Sequence, residues 1–148
     1  MPITKFLSAG SNEEEALKYT CELAARLFLK EDNLPTAENI EIRCKSAEEG
    51  EKLNDLMWIY PADMLIPHNI SHKNNGKVFA EIGYPGSKFA YKDSKALVNL
   101  NPDLPNQISD YLVYFQLVIE DNSYLRERAA ATWNECKLMG LEPTFIKS

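Results

Sequence analysis

A chain of 148 residues with 45% hydrophobic and 26% charged side chains has the size and composition of one globular domain built on a single core. No apolar run approaches the roughly 18 residues of a membrane span, and the opening MPITKFLSAGSNEEE lacks the basic-then-apolar order of a signal peptide, so a cytoplasmic location is expected. The formal charge of −6 argues against a whole-surface nucleic-acid binder, because duplex binding relies on Lys and Arg neutralising phosphates, and leaves room only for a local basic patch.

The stretch ITKFLSA (3–9) alternates enough to be a first strand, and Gly10 turns the chain. Ser11 with Glu14 reads as a capping box, and the acidic run Glu13–Glu15 suits a helix N-terminus. From there Ala16, Tyr19, Leu23, Leu27 and Leu17, Cys21, Ala24, Phe28 recur at helical spacing, with an end expected near Asp32-Asn33, before Pro35. NIEIRC (39–44) alternates as a strand; Ser46 and Glu49 form a second capping box, opening a helix that runs to about Trp58.

The next segment, MWIYPADMLIPHNI (57–70), is apolar enough for a core element. Pro61 and Pro67 break it twice, so it is neither a good helix nor a clean strand. Two readings stand side by side: a flap folded back on the sheet, or an exposed apolar patch that marks an interface. A polar turn, SHKNNGK (71–77), follows. VFAEIGY (78–84) and KALVNL (95–100) read as strands, each closed by a turn, and YLVYFQLVIE (111–120) is β-branched and aromatic, so at least its second half is a buried strand. A last helix is expected from Asp121-Asn122 to Gly140, a suitable residue just past a helix end. The order predicts an α/β fold: one domain over 1–148, a mainly parallel sheet with helices on both faces, Rossmann-like. The turn after the first strand, SAGSNEEE, has one glycine, no Lys and three carboxylates, so a nucleotide site is rejected there and no cofactor is expected.

Chemistry offers little. Cys21, Cys44 and Cys136 are widely spaced and read as buried thiols. Cys44 with His68 or His72 is the sharpest enzymatic idea, a nucleophile and base for a small hydrolase or transferase, but spacing alone gives no sign of a lowered thiol pKa. His68 and His72 stand four apart across a segment that Pro67 and Asn69 keep from being helical, which is no metal-ligand pattern. Asp63 and Asp93 read as turn carboxylates. On the last helix, Leu125, Ala129, Thr132, Cys136 and Met139 share the core side, while Arg126, Ala130, Trp133 and Lys137 share an offset stripe. A Trp between cations suits an acidic, partly aromatic peptide end. The alternative is that Trp133 packs under a neighbouring loop and the cations are solvated.

The motif residues resemble the chi subunit family of bacterial DNA polymerase III holoenzyme. That family shows a Trp, then Pro-x-(Asp/Glu)-x-apolar-apolar-Pro-His-Asn, then a strand ending in aromatic-Pro. Here these are Trp58, Pro61, Asp63, Leu65, Ile66, Pro67, His68 and Asn69, then Glu81-Ile82-Gly83-Tyr84-Pro85, with Tyr84 where many relatives have Trp. The Leu-Val-Asn-Leu strand at 97–100 and the last helix with its aromatic and Gly140 extend the resemblance to essentially the whole chain. It implies a non-catalytic adaptor of α/β fold. Such an adaptor pairs with the psi subunit of the clamp loader and binds the acidic C-terminal tail of single-stranded DNA-binding protein. That tail carries several carboxylates and ends in an aromatic residue with a free α-carboxylate. The resemblance assigns Trp58 and Leu65, with Pro67 and His68, to the psi-side surface, and Arg126, Arg128, Trp133 and Lys137 to the tail. Ala130 and Asn134 stand where the family has basic residues, so the tail is held more weakly or leans on Arg128, Lys137 or Lys147. Direct binding of single-stranded DNA conflicts with the net negative charge, because such grooves are basic and aromatic-lined.

Overall fold

The structure, a computed structural model, describes residues 2–62, 64–71, 78–89, 95–105, 107–121 and 123–147. Asp63, His72, Asp93 and nearly all of the polar turn after Ile70 lie outside the described residues.

Seven strands form one sheet in which every pairing is parallel, in the order β3-β4-β2-β5-β6-β1-β7. The chain runs β1 (Ile3–Ser8), α1 (Glu13–Phe28), β2 (Asn39–Arg43), α2 (Ala47–Leu56), β3 (His68–Ile70), β4 (Ala80–Gly83), β5 (Lys95–Asn99), β6 (Val113–Val118), α3 (Ser123–Leu138) and β7 (Thr144–Ile146). Alternation along the strands feeds two cores. Ile40, Ile42, Ala96, Val98 and Phe115 pack with Leu17, Cys21, Ala24 and Leu53 of α1 and α2. Leu97, Tyr114 and Phe6, pointing the other way, pack with Ala129 and Cys136 of α3. Helices therefore cover both faces, as the residue order predicts.

The caps explain where the helices begin and end. The second capping box is present as read: Ser46 Oγ accepts from the Glu49 N–H, and Glu49 Oε1 accepts from the Lys45 N–H. The first is shifted by one residue. Asn12, not Ser11, is the cap; its Oδ1 accepts from the Glu15 N–H, and Glu15 Oε2 reaches back to the Ser11 N–H. Asn caps at least as well as Ser, so the extended backbone at Asn12 settles the choice. α1 also ends at Phe28, short of Asp32. Lys30 takes a left-handed φ of 55°, which lets the Lys30 and Glu31 N–H groups donate to Leu27 and Arg26 carbonyls. This cap usually uses glycine. Gly140, φ 86°, does the same for α3, with Gly140 and Leu141 donating to Lys137 and Cys136. On the predicted core side of α3, Ala129, Thr132 and Cys136 are buried and Leu125 is partly so, but Met139, beyond the helix end, is exposed.

Two edge strands, β3 and β7, escape the sequence reading. Each has three residues, too few to show a period. Gly83 has a packing reason. A Cβ there would come within 2.3 Å of the Phe89 ring, so only glycine lets that ring lie on β4.

Candidate interaction sites

The apolar segment after α2 sorts its side chains between inside and outside. Successive turns, with the Ile59 and Tyr60 N–H groups donating to the Leu56 carbonyl, carry the chain off the helix end. Met57, Ile66 and Ile70 are buried pegs. Trp58, Ile59 and Leu65 stay 58%, 72% and 59% exposed, and Pro67 is exposed beside them in sequence. So the segment is anchored as a flap and still presents greasy surface; the two readings of the sequence each describe half of it.

His68 belongs to the support rather than the surface. It is 4% exposed. Its Nδ1 lies 2.7 Å from the Ile66 carbonyl and its Nε2 3.0 Å from the Asn54 carbonyl, which ties β3 to α2. The Trp58 ring rests on the imidazole, with centroids 4.7 Å apart. His68 is thus placed behind the indole that faces outward, with its own ring buried.

The same geometry removes the nucleophile idea. Both ring nitrogens of His68 face backbone carbonyls, not a thiol. Cys44 is completely buried in the core, and that burial pushes its thiol far up. Burial likewise raises Cys21 to about 12 and Cys136 to about 11. All three should be protonated at neutral pH and inert to a thiol reagent until denaturant unfolds the protein. Fast labelling of any of them in the native state would contradict this burial. Among the described residues no group of three His, Cys, Asp or Glu side chains could hold a metal ion, and no helix is long and apolar enough to cross a membrane.

Between the starts of α1 and α2 lies a crevice of about 490 Å³, in the region where parallel α/β sheets often bind phosphate. Its walls carry Glu13, Glu14, Glu48 and Glu49 against Lys45 and Lys52, and Lys45 is paired to Glu13. Of the three acidic residues of the first α1 turn, Glu13 and Glu14 line this crevice, while Glu15 turns back to the Ser11 N–H.

The second candidate site is on α3. Trp133 is half-buried, its ring edge-on to Phe6 with centroids 5.0 Å apart. The Lys137 ammonium lies 5.8 Å from the centre of the same indole, and Arg126 is exposed in the first turns of α3. Arg126, Ala130 and Trp133 line a pocket of about 280 Å³ with Phe6 of β1, Glu120 just after β6 and Phe145 of β7. Arg126 makes no hydrogen bond or ion pair among the described residues. Thus Trp133 packs edge-on against β1 rather than under a loop, and it also lines a pocket together with Arg126.

Arg128 is not part of this pocket. Two residues along a helix is about 200° around it. Its guanidinium pairs with the Asp103 carboxylate, on the side where Thr132 Oγ1 donates to the Pro102 carbonyl at 2.7 Å. It therefore lies off the stripe that Arg126, Trp133 and Lys137 share. Phe6, Phe145 and Glu120 were missed because they reach the pocket from two strands and from the segment that follows a third. The only sequence trace of this is that Phe6 shares a β1 face with Thr4 and Ser8.

Among known families, the one described as DNA polymerase III chi subunit, HolC, matches residues 1–144. No curated protein matches the chain.

Proposed function

The chain belongs to the DNA polymerase III chi subunit family, and on that premise we propose that it is a non-catalytic adaptor of the replicative holoenzyme in the bacterial cytoplasm. It joins the clamp loader through the psi subunit by the surface around Trp58 and Leu65. It takes the C-terminal tail of single-stranded DNA-binding protein on α3, at Arg126, Trp133 and Lys137. The observation that carries the reading is the α3 pocket: a guanidinium with no ion pair among the described residues lines an aromatic-walled cavity, which suits a terminal aromatic residue with a free α-carboxylate. The Lys137 ammonium beside Trp133 supplies a second positive charge for upstream carboxylates.

Titration of a labelled tail peptide tests this. A charge-assisted hydrogen bond contributes about 1.5–3 kcal/mol when partly shielded, and an exposed pair about 0–1. Arg126→Ala should therefore weaken binding at least about tenfold, and Lys137→Ala only a few-fold. Trp133→Ala should lose both affinity and some stability, because its ring also packs on Phe6. Added salt should weaken the wild type and flatten the difference between it and Arg126→Ala. Unchanged affinity in all three variants would place the tail elsewhere.

A further inference from the structure

The same pocket holds a feature that an acidic ligand should avoid. Glu120 lines it, opposite in charge to Arg126. Its backbone N–H is fixed to the Gly10 carbonyl at 3.0 Å, so the residue is anchored at the end of β6. Its carboxylate makes no hydrogen bond or ion pair among the described residues, and neither does the Arg126 guanidinium. A cation and an anion, each left without a protein partner, therefore face one apolar cavity walled by Phe6, Trp133 and Phe145. The additional cation on this stripe is Lys137, about three turns further along α3 from Arg126, and its ammonium reaches back to lie 5.8 Å from the centre of the Trp133 ring that walls the cavity.

We propose that Glu120 sets the sequence requirement of this pocket: it rejects an acidic side chain next to the terminal aromatic residue, so that the carboxylates of a bound tail lie further upstream, towards Lys137. The proposal rests on the tail-binding reading of α3. The ligand class is a peptide with a free α-carboxylate on Arg126, an apolar terminal side chain in the cavity, and an uncharged stretch passing Glu120. Uncharged backbone N–H groups passing there donate to the carboxylate rather than being repelled by it. Arg126 provides the attraction, and Glu120 provides the discrimination, which often depends on a repulsive element.

Two labelled peptides of identical composition separate these roles. Both end in the same aromatic residue with a free carboxylate. One carries its acidic residues upstream, the other directly before the terminal residue. Wild type should prefer the first by about three- to tenfold at low salt. Glu120→Gln, which keeps the shape and removes the charge, should bring the two within about twofold by tightening the second. Glu120→Lys should reverse the order. Arg126→Ala should weaken both. Melting curves of each variant check that the fold persists. Equal affinity of wild type for the two peptides, or a preference that survives Glu120→Gln, overturns the role of Glu120. If Arg126→Ala leaves both affinities unchanged, the pocket itself is not the tail site and the underlying reading fails.

Discussion

Trp58→Ala should weaken the complex with the psi subunit by about 2–4 kcal/mol, a factor of about 30 or more, while the isolated protein melts near the wild-type temperature. Exposed Trp residues are common anchors of protein interfaces, and this one is 58% exposed on a segment whose Met57, Ile66 and Ile70 are buried. A fully buried Trp would instead cost about 3–5 kcal/mol of stability when truncated. Leu65→Ala should act in the same direction with a smaller loss, because it removes less area. His68→Ala separates contact from support. It removes the ring that Trp58 rests on and both links to backbone carbonyls, so it should lower stability and partner affinity together. Calorimetric titration with psi and a thermal melt on each variant read both quantities. A collapse of the melting temperature in Trp58→Ala, with affinity unchanged, would sink the interface assignment.

The parts of this protein that were legible in the sequence are those governed by local rules. The apolar run before α3 gave the buried β6, and Ser46 with Glu49 placed the start of α2. Helical spacing put Arg126, Trp133 and Lys137 along one side of α3, because a rigid helix fixes angles between its own residues. What was not legible depends on a residue departing from its usual preference or on contacts between distant segments. Lys30 ends α1 in a conformation that glycine usually takes. Arg128 carries the same charge as Arg126, yet Asp103 claims it. The edge strands exist only because β4 and β1 offer partners. NIEIR misleads in its own way: its alternation suggests a strand with one solvated face, but Glu41 at its centre is 1% exposed.

That buried carboxylate is the most consequential single group in the sheet. Glu41 accepts from Arg43 Nε at 2.5 Å, from Lys95 Nζ at 2.6 Å and from the Tyr111 hydroxyl. The Phe89 ring, seated on Gly83, lies 5.2 Å from the Arg43 guanidinium and 5.5 Å from the Lys95 ammonium. The cluster therefore links β2, β5, the segment before β6 and the segment after β4. Glu41→Ala should cost about 3–5 kcal/mol, because Arg43 Nε, Lys95 Nζ and the Tyr111 hydroxyl all lose their shared acceptor. Arg43 is a third exposed, so solvent screens its share of the loss. For a chain of this size the melting temperature should fall by about 10–15 °C. Glu41→Leu combined with Lys95→Met removes both charges and leaves apolar volume, so it should recover much of that loss. If the double variant is no more stable than Glu41→Ala, shape and not charge governs the site. The α3 pocket is built by β1, β6, β7 and α3, towards the other edge of the sheet. Tail-peptide affinity, measured well below the melting point, should therefore survive Glu41→Ala. A parallel loss of tail binding would mean that the two halves of the sheet do not respond independently.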